Sequence, residues 1–268
     1  MLAFSLSWIP WLVAAWFSGQ GGMQGVVLML SLLGLLGPCA AALFLIGSSG
    51  SDTLKRDFRD RLWNVRALRS DYTPALIGVP VLVVLAGMAL STLWGYSTDQ
   101  FAFAVALSNT LPLVIIGILL APIIEELGWR GYAVDALRAR MGELRTSLLF
   151  GVLWSAWHLP LALIEGTYQH ELATMASPLY LIHFFVAILP LAVVMNWLYY
   201  RLDRAILAAM IFHAIVNMMA MIFAAEQFAK VMVTVLYSVL ALALIMATRG
   251  LAAQRPQSFL RDDGRTRS

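Results

Sequence analysis

Charge is scarce in this 268-residue chain: Asp, Glu, Lys and Arg make up 12% of it, against about a quarter of an ordinary soluble domain. A water-soluble domain with a charged surface is therefore excluded. The sequence has one cysteine, Cys39 beside Pro38, which leaves no internal disulfide and no cysteine-rich metal site. It contains no P-loop, no HExxH zinc signature, no low-complexity tract and no repeat of the kind that builds two-halved transporters. The opening residues MLAFSLSWIPWLVAAWFSG lack the basic flank of a secretory signal and read as a first membrane span.

What is abundant is apolar surface: 61% of residues are hydrophobic and mean hydropathy is +0.81. Eight apolar stretches lie near 2–17, 24–47, 74–94, 102–124, 147–165, 178–200, 205–225 and 230–248, each close to the roughly 17 to 25 residues that cross hydrocarbon. An all-α, polytopic membrane bundle of about eight transmembrane helices is expected, forming a single integral membrane domain over 1–268. Every Lys and Arg except Lys230 falls in connections of one parity or in the C-terminal tail. Positive charge stays on the cytoplasmic side, which places both termini there and gives a multi-pass protein of the inner (cytoplasmic) membrane. The net charge of +3 is then a topology anchor facing anionic lipid rather than a nucleic-acid surface. Segment 48–73, with Lys55, Arg56, Asp57, Arg59, Asp60 and Arg61, reads as a cytoplasmic amphipathic helix with a solvated charged face, and 250–268 as a mobile cytoplasmic tail.

Against this background a few polar groups inside apolar helices stand out, because ionisable residues are costly there and mark function. In LLAPIIEELGWRGY, Glu126 and Arg130 are four apart and share a helix face, with the glutamate on the favourable side. Glu125 is rotated from Glu126 by about 100° and has no local cation. An unpaired carboxylate suits a general base, although both glutamates could simply bind Arg130. In LLFGVLWSAWHLP, Trp154 and His158 are again i and i+4, and His158 lies roughly 16 Å of helix inside the cytoplasmic end. In MIFHAIVNMM, His213 and Asn217 repeat the spacing roughly 12 Å in. Each histidine alone could be a satisfied interhelical hydrogen-bonder. Glu125, His158 and His213, counted from three different loops, nevertheless fall at one depth. His170 and His183 lack such a setting and are expected to be structural or solvated, and Glu165 and Asp99 lie in outer segments.

EExxxR, then an aromatic-xxxH helix, then HxxxN, in that order over about 110–220, resembles the CPBP family of intramembrane proteases, which includes type II CAAX prenyl proteases and bacterial Abi relatives. The family pattern usually has phenylalanine where this chain has Trp154. The resemblance implies that Glu125 and His158 activate a water, that His213 and Asn217 donate to the oxyanion, and that Glu126 and Arg130 support the carboxylate; with no HExxH in the sequence and Asn217 a poor zinc ligand, catalysis without a metal is expected. Substrate would be a peptide or membrane protein reaching the site from the cytoplasmic side.

Two other classes stay open: a scaffold or immunity protein binding a partner through the same cavity, and a proton-coupled transporter, for which no outer-half relay partner is visible. A zinc site of Glu125, His158 and His213 is the alternative mechanism. Lipid-facing and protein-facing leucines look alike, so oligomeric state is not legible.

Overall fold

The computed structural model describes residues 1–104 and 115–248. Among them the chain is helical with no strand; one isolated antiparallel bridge joins Phe103 to Phe223. Twelve α-helical segments are used below: α1 (Leu2–Ser18), α2 (Gln24–Leu35), α3 (Gly37–Ser48), α4 (Asp52–Leu62), α5 (Thr73–Thr92), α6 (Ala121–Gly128), α7 (Val134–Arg138), α8 (Glu143–Trp157), α9 (Tyr168–Thr174), α10 (Leu179–Arg201), α11 (Ile206–Ile222) and α12 (Gln227–Ala247).

Five stretches are long and apolar enough to cross a membrane: Gln24–Ser48, Thr73–Thr92, Glu143–Leu163, Leu179–Arg201 and Gln227–Ala247. Leu2–Ser18 and Ile206–Ile222 are shorter apolar helices beside them. The span expected over 102–124 falls partly outside the described residues, as do Pro112 and the tail over 250–268. Pro38, Pro122 and Pro160 each occupy the first turn of a helical segment, where the missing N–H is not needed. Pro80 and Pro190 lie inside α5 and α10.

The architecture centres on a rod running from Ile116 to Arg138. It consists of α6 and α7 with a widened π turn on either side of α6, at Ile116–Leu120 and Trp129–Ala133. Such turns disturb the regular ladder and occur often at functional sites. The rod packs against both α3 and α11, while α8 packs on α10 and α5 on α11 and α12. Gly128 fixes the crossing with α3, since a Cβ there would overlap Pro38.

Buried aromatics hold α1, α8 and the rod together. Trp157 stacks obliquely on Trp11 at 4.6 Å between ring centroids and edge-on to Trp129 at 5.6 Å. Buried indoles need acceptors: Trp157 Nε1 donates to Ser7 Oγ (2.7 Å), Trp11 Nε1 to the Ser31 carbonyl (2.9 Å) and Trp8 Nε1 to the Trp157 carbonyl (3.1 Å). Cys39 is a half-buried free thiol in α3.

The 48–73 segment departs from its expected solvated character. It contains the helix α4, started by Ser51 Oγ accepting from the Leu54 amide, but α4 buries Arg61 along with Leu54 and Phe58. Arg61 is buried because the Asp135 carboxylate and two carbonyls from other segments converge on it beside Asp57 of its own helix, a condition that charge alternation along one segment does not reveal.

Candidate active site

Glu125 and Glu126 sit side by side in α6, buried and facing different partners. Glu126 accepts from Arg130 Nη1 at both oxygens (3.0 and 2.7 Å). Its Oε1 also lies 2.9 Å from His213 Nδ1 on α11. Arg130 reaches further, donating from Nη2 to Asn196 Oδ1 of α10 at 3.0 Å, and Asn196 Nδ2 donates to Ser147 Oγ of α8 at 3.2 Å. The Arg130 guanidinium lies over the rings of Phe150 (4.8 Å) and Trp154 (5.5 Å), so it is shielded by aromatic faces that favour a cation.

Glu125 has no ion pair among the described residues. Its Oε2 accepts from Trp154 Nε1 at 2.9 Å, which fixes one oxygen and leaves the other for a second partner. Trp154 is the hub of the site. Its ring stands 5.2 Å from that of His213, nearly perpendicular, and 6.3 Å from that of His158. The sequence-predicted groups Glu125, His158 and His213 are thus gathered around one indole.

His158 lies at the end of α8, where the chain passes into a 3₁₀ turn, Leu159–Leu163, carrying Pro160. Its Nδ1 lies 2.8 Å from the Trp154 carbonyl, a carbonyl near the helix end with no partner in the regular ladder. A carbonyl only accepts, so Nδ1 carries the hydrogen and neutral His158 presents a bare Nε2. The same reasoning applies to His213: an ionised Glu126 accepts from Nδ1–H, and Nε2 then bears a hydrogen only when the ring is an imidazolium. Donation from His213 Nε2 to an oxyanion, the role that the resemblance implies, therefore requires the imidazolium form. Asn217 donates from Nδ2 to the Gly117 carbonyl at 2.9 Å in the first π turn. This bond uses one of its two N–H groups and ties α11 to the rod.

Among the described residues, no three of His, Cys, Asp and Glu are grouped closely enough to hold a metal ion. His170 Nδ1 lies 3.1 Å from the Ala162 carbonyl and His183 Nε2 2.7 Å from Thr234 Oγ1, both structural bonds. Glu165 and Asp99 are exposed. A mostly apolar groove of about 960 Å³ opens between α1, α3 and the Gly128–Leu137 stretch, with Trp129 and Phe150 in its wall; none of the seven site residues lines it.

Sequence reasoning missed Asn196, the amide that holds Arg130. Its signal was available, a lone amide in the otherwise apolar run LAVVMNWLYY. It also missed the burial of Asp135 and Arg61.

Comparison with known proteins bears on the same residues. A family model described as Type II CAAX prenyl endopeptidase Rce1-like matches residues 106–219, a range that contains Glu125, His158, His213 and Asn217. CAAX prenyl protease 2 of Methanococcus maripaludis is 33% identical over 245 residues, covering 91% of this chain and 90% of that protein.

Proposed function

This chain belongs to the Rce1-like family of type II CAAX prenyl endopeptidases, and on that premise we propose that it is a metal-free glutamic endopeptidase working within the membrane. The observation that carries the reading is the setting of Glu125: a buried carboxylate with no ion pair among the described residues, one oxygen held by the Trp154 indole at 2.9 Å. Such a group is positioned to take a proton from water, and the bare Nε2 of His158 is a second acceptor beside the same indole.

The water oxygen attacks the scissile carbonyl carbon as its proton passes to the Glu125–His158 pair, and the carbonyl oxygen becomes an oxyanion. His213 as imidazolium and the second N–H of Asn217 stabilise that oxyanion. Glu126 is flanked by Arg130 and His213, so with His213 protonated the trio carries one net positive charge, which favours a developing negative charge in a dry site. When the tetrahedral species collapses, the C–N bond breaks and the proton returns to the leaving amine.

The substrate is a peptide held at the membrane; a prenylated C-terminal segment is the class that the relative's name carries. It would approach from the cytoplasmic side of the inner membrane, the side of the basic connections. Cleavage of a farnesylated, quenched-fluorescent peptide by purified protein in nanodiscs tests the reading. Turnover by the wild type and none by Glu125→Gln is expected; equal turnover by both overturns it.

A further inference from the structure

The helix α4 lies outside the catalytic motifs, yet one of its arginines, Arg61, holds the backbone of the catalytic rod. Arg61 Nη1 donates to the Arg130 carbonyl (2.8 Å) and Nη2 to the Gly131 carbonyl (2.9 Å). Both carbonyls belong to the π turn Trp129–Ala133, where a loosened ladder calls for donors from outside. Nη1 also donates to Tyr199 Oη of α10 at 2.8 Å, and Nε to Asp57 Oδ2 at 2.7 Å. Asp135 Oδ2, just past the turn, is 3.3 Å from Nη1. Arg204 closes the ring, donating to Asp57 (2.9 and 3.1 Å) and to Asp135 (3.1 and 2.7 Å). The two arginines and two aspartates balance in charge. Phe58, one turn before Arg61, lies against Gly131, where an added Cβ would come within 3.0 Å of its ring.

We propose that Arg61 is a positioning residue: by clamping the Arg130 and Gly131 carbonyls it fixes the π turn that aims Arg130 at Glu126, and through Glu126 it sets His213 and the neighbouring Glu125. The proposal rests on the catalytic reading above. Arg61 touches neither substrate nor the reacting groups, so it acts on turnover through backbone geometry. A 1 Å displacement of such a site from a distance can lower rate about 100-fold.

Two measurements on Arg61→Gln and Arg61→Lys test it, with Tyr199→Phe as a milder variant should Arg61→Gln not fold. Hydrogen–deuterium exchange of the intact protein in nanodiscs reads the clamp without any substrate. Faster exchange confined to 126–138, with α5 and α12 unchanged, is expected; wild-type exchange in that stretch overturns the clamp. Kinetics on the folded fraction should show kcat lowered by about 10- to 100-fold with KM within about twofold, and Arg61→Lys between Arg61→Gln and wild type. A wild-type kcat per folded molecule, with only the folded yield reduced, would assign Arg61 to stability alone and overturn the positioning role. Glu125→Gln runs alongside: if it cleaves as the wild type does, the catalytic reading fails, whatever the exchange data say of the clamp.

Discussion

Replacing Trp154 by phenylalanine, the residue that the family pattern usually carries, isolates one atom of the site. The variant keeps an aromatic ring beside Phe150 and His213, but the indole N–H that Glu125 Oε2 accepts at 2.9 Å is removed. A hydrogen bond to a charged group contributes about 1.5–3 kcal/mol. If that bond holds the carboxylate in its reactive orientation, its loss appears in the barrier, and at about 1.4 kcal/mol per decade kcat falls by about 10- to 150-fold. Trp154 is fully enclosed, 2% exposed, so the smaller ring also leaves a void and lowers Tm modestly. Single-turnover cleavage normalised to folded protein separates these effects, because the void acts on Tm and the lost donor on the chemical step. A folded Trp154→Phe protein with wild-type single-turnover rate would refute the claim that the indole orients Glu125. A loss confined to KM would refute it equally.

Three further outcomes follow from the same geometry. His213→Ala should raise the barrier by about 2.7–4 kcal/mol, read in kcat with KM little changed, if its ring is a principal oxyanion donor. Arg130→Ala removes the cation from a fully buried carboxylate and should destabilise the fold by about 3–5 kcal/mol, seen as lost monodisperse protein or a lowered Tm before any kinetic assay. Asn196→Ala, which leaves one Arg130 donor without its acceptor, should cost less, about 1–3 kcal/mol, and retain measurable turnover.

Much of this site was legible before any coordinates because membrane burial makes polar residues expensive and therefore conspicuous. The i and i+4 spacings of Glu126 with Arg130, of Trp154 with His158 and of His213 with Asn217 placed each pair on one face, and equal depth suggested convergence. Beyond the local Glu126–Arg130 pair, the hydrogen-bond partners that other helices supply were not legible. Spacing gives no sign that His213 faces Glu126 rather than Glu125, or that Asn217 donates to Gly117. It likewise gives no sign that the Trp154 indole aims its N–H at Glu125. The π turns were also hidden, because no proline or glycine pattern in IGILL or WRGYA distinguishes a widened turn from a regular one. Arg61 illustrates the same limit: its spacing in sequence offers Asp57 four residues before it, and only the fold brings Asp135, Tyr199 and two carbonyls around it.

The most direct test of glutamate catalysis is turnover of a quenched-fluorescent prenylated peptide by purified protein in nanodiscs, wild type beside Glu125→Ala, each with and without a strong zinc chelator. The account predicts cleavage by the wild type that the chelator leaves unchanged and none by Glu125→Ala. Wild-type cleavage by Glu125→Ala, or activity abolished by the chelator and restored by zinc, would contradict it.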